Sequence, residues 1–90
     1  MRERDIERKL THEVEKRGGL SFKWTSPGQT GVPDRIVILP GGRIWFAELK
    51  TDTGRTTAVQ EYQQKRLRDA GCNVITIHGE KELNEWIKQC

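Results

Sequence analysis

The sequence is poor in cysteine and has no long apolar run. Its two cysteines, Cys72 and Cys90, lie eighteen positions apart, outside any CxxC or Cys/His cluster of the kind that holds zinc. No stretch approaches the roughly 18 apolar residues of a membrane helix, and the opening Met-Arg-Glu-Arg-Asp lacks the apolar segment of a signal peptide. We therefore expect free thiols and an intracellular protein in the cytoplasm of a bacterial cell, encoded by that cell or by a virus.

Repeats, low-complexity tracts and Pro/Gly/Ser-rich linkers are also absent from the 90 residues. We therefore predict one domain that covers residues 1–90. A chain of this length buries only about 60 to 65 per cent of the surface that its unfolded form exposes, so its core is small. Self-association would bury more surface, and we expect a homodimer.

Charge is what the sequence has in quantity. Charged residues make up 32% and hydrophobic residues 33%, and 16 Lys and Arg against 13 Asp and Glu give a net charge of +3. This mildly basic balance is compatible with a polyanionic partner such as nucleic acid, but many small proteins with ordinary solvated surfaces share it. Composition alone therefore does not assign a function.

The spacing of apolar and turn residues predicts three helices and four strands. In chain order they are helix 2–18, strands 20–24, 35–39 and 43–50, a helix from 56 or 57 to 70, strand 72–78 and helix 80–88. The tight turn at 40–42 joins two strands into a hairpin, and the final strand, helix and strand imply a crossover onto the same sheet. The predicted fold is α/β, a mixed sheet with helices packed on its faces.

Two of the strands carry a distinct burial pattern. Leu20, Phe22 and Trp24 alternate with polar residues, which predicts a strand with one buried face. Residues 35–39 are apolar at nearly every position, which is typical of a strand in the middle of a sheet covered on both sides.

The strand 43–50 ends in two charged residues that share one face. Glu48 and Lys50 lie two positions apart, so their side chains point the same way with about 7 Å between them. Taken alone, this pattern is equally typical of a strand end that emerges into solvent. Asp34 changes the interpretation because it begins the partner strand, and the hairpin places it beside Glu48 to within the uncertainty of the register.

Two adjacent carboxylates repel one another, and a hard divalent cation converts that repulsion into affinity. Mg²⁺ prefers one or two carboxylates together with waters and phosphate oxygens. Lys50 would orient or help to deprotonate an attacking water, or neutralise the charge that develops on phosphorus. The three residues therefore indicate metal-assisted hydrolysis of phosphodiester bonds.

The segments Gly31-Val-Pro-Asp-Arg-Ile-Val37 and Phe46-Ala-Glu-Leu-Lys50 resemble the core of PD-(D/E)xK nucleases. More narrowly, the whole chain resembles the VRR-NUC family of virus-type replication and repair nucleases. That family has a Gly-x-Pro-Asp loop, a following Glu-x-Lys strand and a glutamine near the start of the next helix, here Gln60. The resemblance implies a restriction-endonuclease-like fold and a Mg²⁺-dependent DNA endonuclease in which Mn²⁺ can substitute.

The resemblance also assigns roles to individual residues. It implies that Asp34 and Glu48 bind the metal, that the carbonyl of Leu49 completes the metal shell, that Lys50 is catalytic, and that Gln60 orients Lys50 or the water. Such nucleases often place another acidic residue on the first helix. Our candidate is Glu7, with Glu3 and Asp5 as alternatives and a solvated carboxylate as the alternative role.

Few other residues are candidates for function. Lys23, Arg35 and Arg55 border the predicted site, and we expect them to contact DNA phosphates. Trp24 lies beside the active-site loop, where we expect it in the core or a dimer interface, with base stacking as the alternative. His12 and His78 are interpreted as ordinary surface residues.

The sequence thus predicts a structure-selective DNA endonuclease of replication, repair or recombination, with replication or repair proteins as further partners. One alternative is a Holliday-junction resolvase that acts as a symmetric dimer. Another is a noncatalytic nucleic-acid binding module. A purely structural role has the least support, since the sequence shows no apolar surface that we expect to be exposed.

Overall fold

The predicted order of helices and strands is confirmed. The computed structural model describes residues 1–90 and contains α1 (Glu3–Lys16), β1 (Leu20–Lys23), β2 (Arg35–Leu39), β3 (Arg43–Lys50), α2 (Ala58–Asp69), β4 (Asn73–His78) and α3 (Gly79–Lys88). The bounds differ from the prediction by one or two residues at most. None of the three helices is both long and apolar enough to cross a membrane.

The four strands form one sheet in the order β1-β2-β3-β4. The pair β2/β3 is antiparallel and β3/β4 is parallel, as the predicted hairpin and crossover require, and β1/β2 is antiparallel as well. In the hairpin, Leu39 pairs with Arg43 and Arg35 with Ala47. Continued by one residue, this register puts Asp34 opposite Glu48.

One face of the sheet carries the core, because α1 and α3 both pack on it. Helix α1 contributes Ile6, Leu10 and Val14, spaced four residues apart, and all three are fully buried. They meet side chains from β2, β3, β4 and α3, namely Val37, Leu39, Ala47, Leu49, Ile77, Leu83, Trp86 and Ile87. This narrow apolar stripe is sufficient because a second helix shares the same face.

The other face of the sheet is only partly covered. The prediction that β1 buries its apolar side chains is therefore wrong. Leu20 and Phe22 are 50% and 51% exposed, and Ile44 on β3 is 44% exposed. Ile36 and Ile38 between them are half-buried, so β2 is covered fully on one side only. The reason is that α2, the one helix on this face, packs against β4 at the opposite edge of the sheet.

The loop between β1 and β2 is fastened to α2. The Gln63 amide nitrogen donates to the Thr30 carbonyl at 3.0 Å and to Gln29 Oε1 at 3.2 Å. At Gly31 the backbone has φ +86°, and a Cβ added there would lie 2.8 Å from the Val59 carbonyl oxygen. Loop and helix backbones therefore meet at a distance that only glycine permits.

This contact predicts a difference between two glycines of the same loop. Gly28 has φ +85° with nothing within 4 Å of an added Cβ. Gly28→Ala should therefore lower the free energy of unfolding only by the cost of alanine in the left-handed conformation, about 1–2 kcal/mol. Gly31→Ala adds overlap with the α2 backbone and is expected to lose a further ~1–3 kcal/mol. Urea denaturation of both variants measures this, and equal losses would show that the close approach does not constrain the fold.

Candidate active site

Asp34 and Glu48 meet at the end of the hairpin. The amide of Leu49 donates to Asp34 Oδ2 at 2.9 Å, which holds the aspartate across the start of the β2/β3 pair. Glu48 is only 1% exposed, an unusual degree of burial for a carboxylate that is not fully paired. The carboxylate neighbours that the sequence predicted are therefore present, and one of them is inside the protein.

The two oxygens of Glu48 differ in their surroundings. Oε2 accepts a hydrogen bond from Gln60 Nε2 at 3.2 Å and lies 3.5 Å from the Lys50 ammonium. Oε1 is buried and has no hydrogen-bond partner. A buried acceptor left without a partner costs about 1–3 kcal/mol, so this oxygen favours a bound cation or donor.

Burial and charge also change the acidity of Glu48. Removal from water and the neighbouring Asp34 carboxylate together raise the pKa of Glu48 to about 7, against the opposing effect of the Lys50 ammonium. Near neutral pH the Glu48 carboxyl is therefore close to its titration midpoint, unless a bound cation holds it in the charged form.

Gln60 is oriented by the N-terminal cap of α2. Thr57 Oγ1 accepts from the Gln60 amide at 3.2 Å, and Gln60 Oε1 accepts from the Thr57 amide at 2.9 Å, which is a capping box. Because the side-chain oxygen is committed to Thr57, the NH₂ group faces Glu48. Gln60 thus contacts the Glu48 carboxylate. The expectation that Gln60 orients Lys50 or a water stays a prediction.

The donors at this site fit a small hard cation. The chain contains no cluster of three or more His, Cys, Asp or Glu side chains that could hold a metal ion. Asp34 and Glu48 supply two carboxylates, one with an unpartnered oxygen. Mg²⁺ is commonly held by one or two carboxylates, with waters and phosphate oxygens completing its shell.

Glu7 is placed differently from the other predicted ligands. Its carboxylate is 3.0 Å from the Arg35 guanidinium and 3.1 Å from the Lys23 ammonium. None of its hydrogen bonds or ion pairs is to Asp34 or Glu48. Of the two alternatives, Glu3 is exposed and Asp5 is half-buried near Arg2. The structure thus brings Glu7 to the basic residues, and a metal-binding role for it stays a prediction.

The three residues expected to contact DNA lie in two separate parts of the surface. Arg55 is exposed in the loop before α2 and takes part in no hydrogen bond or ion pair with a side chain. Lys23 and Arg35 line a polar cleft of about 600 Å³ between α1 and β1. That cleft also contains Arg4, Arg8 and His12, which the sequence analysis did not select. Their spacing of four residues on one helix was the available signal.

Comparisons with known proteins agree with this geometry. No protein-family model matches the chain. A protein of Acyrthosiphon pisum secondary endosymbiont phage 1, named "Putative nuclease p44", is 44% identical over 77 residues, which are 86% of this chain and 83% of the phage protein.

A solved structure described as a "VRR_NUC domain" shares the fold with a TM-score of 0.90. It is 32% identical in sequence, and the match covers 96% of this chain and 94% of that chain. The identity, the coverage and the matching topology confirm the family that the loop and strand motifs indicate. The chain belongs to the VRR-NUC family of nucleases.

Proposed function

We propose that this nuclease is a Mg²⁺-dependent endonuclease that hydrolyses phosphodiester bonds in DNA, with Asp34, Glu48 and Lys50 at its active site. One observation carries the proposal. Glu48 is buried beside Asp34, and its Oε1 has no hydrogen-bond partner. A folded chain that retains such an oxygen next to a second carboxylate gains most from a cation at that position.

Asp34 and Glu48 would hold the ion, with the carbonyl of Leu49 as a third ligand. When bound, the metal would lower the pKa of a coordinated water and polarise the phosphoryl group. Gln60 donates to Glu48 Oε2 and leaves Oε1 free, so it acts as a positioning residue for the carboxylate. The Asp34 carboxylate is held by the Leu49 amide, which limits its movement when the site is loaded.

Lys50 supplies the positive charge of the site. It is nearly buried and its ammonium lies 3.5 Å from Glu48 Oε2. A compact ammonium at this place can orient an attacking water or offset the negative charge that develops on the phosphate. Since its charge is shared with one carboxylate only, binding of a metal to that carboxylate would leave Lys50 available to the substrate.

Phosphate contacts are proposed for Arg55, Lys23 and Arg35. Arg55 is exposed and unpaired, and Lys23 and Arg35 are two cations that share the single carboxylate of Glu7. Contacts to phosphates fix the position of DNA and carry no direct sequence information. We therefore propose selection by DNA structure, in replication, repair or recombination, with replication or repair proteins as partners. The phage origin of the 44% identical relative supports a virus-encoded enzyme, and we propose that it acts in the bacterial cytoplasm.

The exposed apolar face supports a homodimer and, with it, Holliday-junction resolution as a second candidate. Leu20, Phe22 and Ile44 lie on one face of the sheet and are about half exposed. A second copy packed there would remove apolar surface that a monomer leaves in water. A symmetric dimer would present two equivalent sites to two strands of a branched junction.

Cleavage assays test the proposed activity. With Mg²⁺ or Mn²⁺ we expect the native chain to cut at least one of four labelled substrates, namely four-way junction, flap, single-stranded and duplex DNA. Lys50→Ala and Asp34→Ala should each lose at least about 100-fold in rate, because the first removes the positive charge at the reacting phosphate and the second removes a ligand of the metal. Lys65→Ala, an exposed lysine on α2, is the control and should retain activity.

EDTA should abolish cutting of every substrate. Paired nicks in a four-way junction by a dimer would favour the resolvase. Magnesium-independent binding without any cleavage, by folded protein, would contradict the endonuclease proposal and support the noncatalytic alternative.

The raised pKa of Glu48 predicts how stability depends on pH in EDTA. Between pH 4.5, where the unfolded carboxyl titrates, and about 7, the folded protein holds the extra proton, so the free energy of unfolding falls as pH rises. The full loss is on the order of 3 kcal/mol. Urea denaturation at several pH values should show this slope in the native chain and not in Glu48→Gln. Adding Mg²⁺ above pH 7 should restore the loss, and an unchanged stability would contradict metal binding at Glu48.

Glu7→Gln distinguishes the two roles considered for Glu7. If the carboxylate serves to pair with Lys23 and Arg35, the variant keeps its affinity for Mg²⁺ and binds DNA more tightly at low salt, because two cations are released to phosphates. We expect this result, with the affinity for Mg²⁺ measured by titration calorimetry and the affinity for DNA by fluorescence anisotropy. A marked fall in Mg²⁺ affinity would instead assign Glu7 to the metal.

A further inference from the structure

A second concave site lies next to the carboxylates. A cavity of about 300 Å³ opens between α2 and the loop that joins β1 to β2. Its apolar walls are Trp24, Val32 and Leu67, and its polar side is formed by Gln29, Gln63 and Arg66. Its volume is at the lower end of the range for pockets that bind small organic groups.

This cavity is close to the candidate active site. Val32 precedes Asp34 by two residues, and two residues span about 7 Å at most. The Trp24 amide donates to the Asp34 carbonyl at 2.9 Å. Gln63 follows Gln60 by roughly one helical turn, about 5 Å along the α2 axis. A group held in the cavity would therefore lie within a nucleotide or two of a phosphate at Asp34.

The walls of the cavity suit a flat aromatic group. The Trp24 indole is half-buried and packs against Phe46, with 5.1 Å between ring centroids and a tilt of 45°. This contact fixes the indole while leaving part of it to line the cavity. A fixed indole beside aliphatic side chains is the arrangement on which nucleobases stack, and stacking of this kind is tolerant of base identity.

The polar side of the cavity has hydrogen-bond donors to spare. Arg66 Nη1 donates to Gln29 Oε1 and Gln63 Oε1, both at 3.1 Å, which holds the guanidinium in place. The other guanidinium nitrogens of Arg66 and the side-chain nitrogen Nε2 of Gln29 donate no hydrogen bond within the protein. Arg66 lies over the Tyr62 ring, 5.6 Å from its centroid, and no carboxylate pairs with it, so the guanidinium has no counter-anion within the protein. Acceptors are present on the edges of all four DNA bases.

We propose that this cavity holds one unpaired nucleobase of the DNA substrate, stacked on Trp24 with its edge facing Gln29 and Arg66. The inference rests on the proposed nuclease function and makes it more specific. A base can enter the cavity only when it is outside the duplex stack, so the preferred substrate has an unpaired base beside the bond that is cut. The cavity is then the site at which the protein recognises the structure of the DNA.

The test fills the cavity without removing any of its contacts. Ala70→Leu adds a side chain at the rim, and Ala58→Leu makes the same change at an exposed position of α2 outside the cavity. Binding is measured in EDTA by fluorescence anisotropy, with a paired duplex and with the same duplex carrying one extrahelical 2-aminopurine. We expect the native chain and Ala58→Leu to prefer the second DNA by about tenfold. Quenching of 2-aminopurine fluorescence should accompany that preference.

Ala70→Leu should lose both the preference and the quenching, while its affinity for the paired duplex stays equal to that of the native chain. If Ala70→Leu keeps the preference, or the native chain has none although it cuts DNA, the cavity assignment is wrong and the nuclease proposal is unaffected. If Ala70→Leu instead dissociates a dimer, the cavity belongs to a contact between two copies and the assignment is equally wrong. A native chain that neither binds nor cuts any DNA would overturn both proposals.

Discussion

The burial of Glu48 in the sheet is the constraint on which the rest of the site depends. A carboxylate at 1% exposure with one unpartnered oxygen costs stability, and its raised pKa reflects that cost. The surrounding groups reduce it only in part, through the amide of Gln60 and the ammonium of Lys50. In the proposed function this incomplete compensation is the source of the affinity for a cation, because a fully satisfied carboxylate would have less to gain from one.

The β1–β2 loop and α2 together convert that buried group into a site with defined geometry. The capping box sets the direction of the Gln60 amide, and the contact of Gly31 with the α2 backbone sets where the helix begins relative to Asp34. The same loop and helix enclose the cavity beside Trp24. One packing contact therefore positions both the carboxylates and the surface next to them.

The uneven cover of the sheet has a simple cause and a consequence for association. Helices α1 and α3 share one face, whereas α2 has the other face alone and lies over β4. Leu20 and Phe22, at the far edge, are left half exposed. No helix within residues 1–90 covers them, and a second copy packed there, as proposed above, would remove them from water.

The sequence by itself determined the type and order of the elements and placed Asp34 beside Glu48 to within the uncertainty of the register, because alternation, turn length and glycine positions are local properties. Three matters were decided only by tertiary structure. These are the side of the sheet that α2 covers, the pairing of Glu7 with Arg35, and the cavity at Trp24. Each depends on where a helix lies over the sheet, and that is set by the sum of many distant contacts that no local pattern encodes.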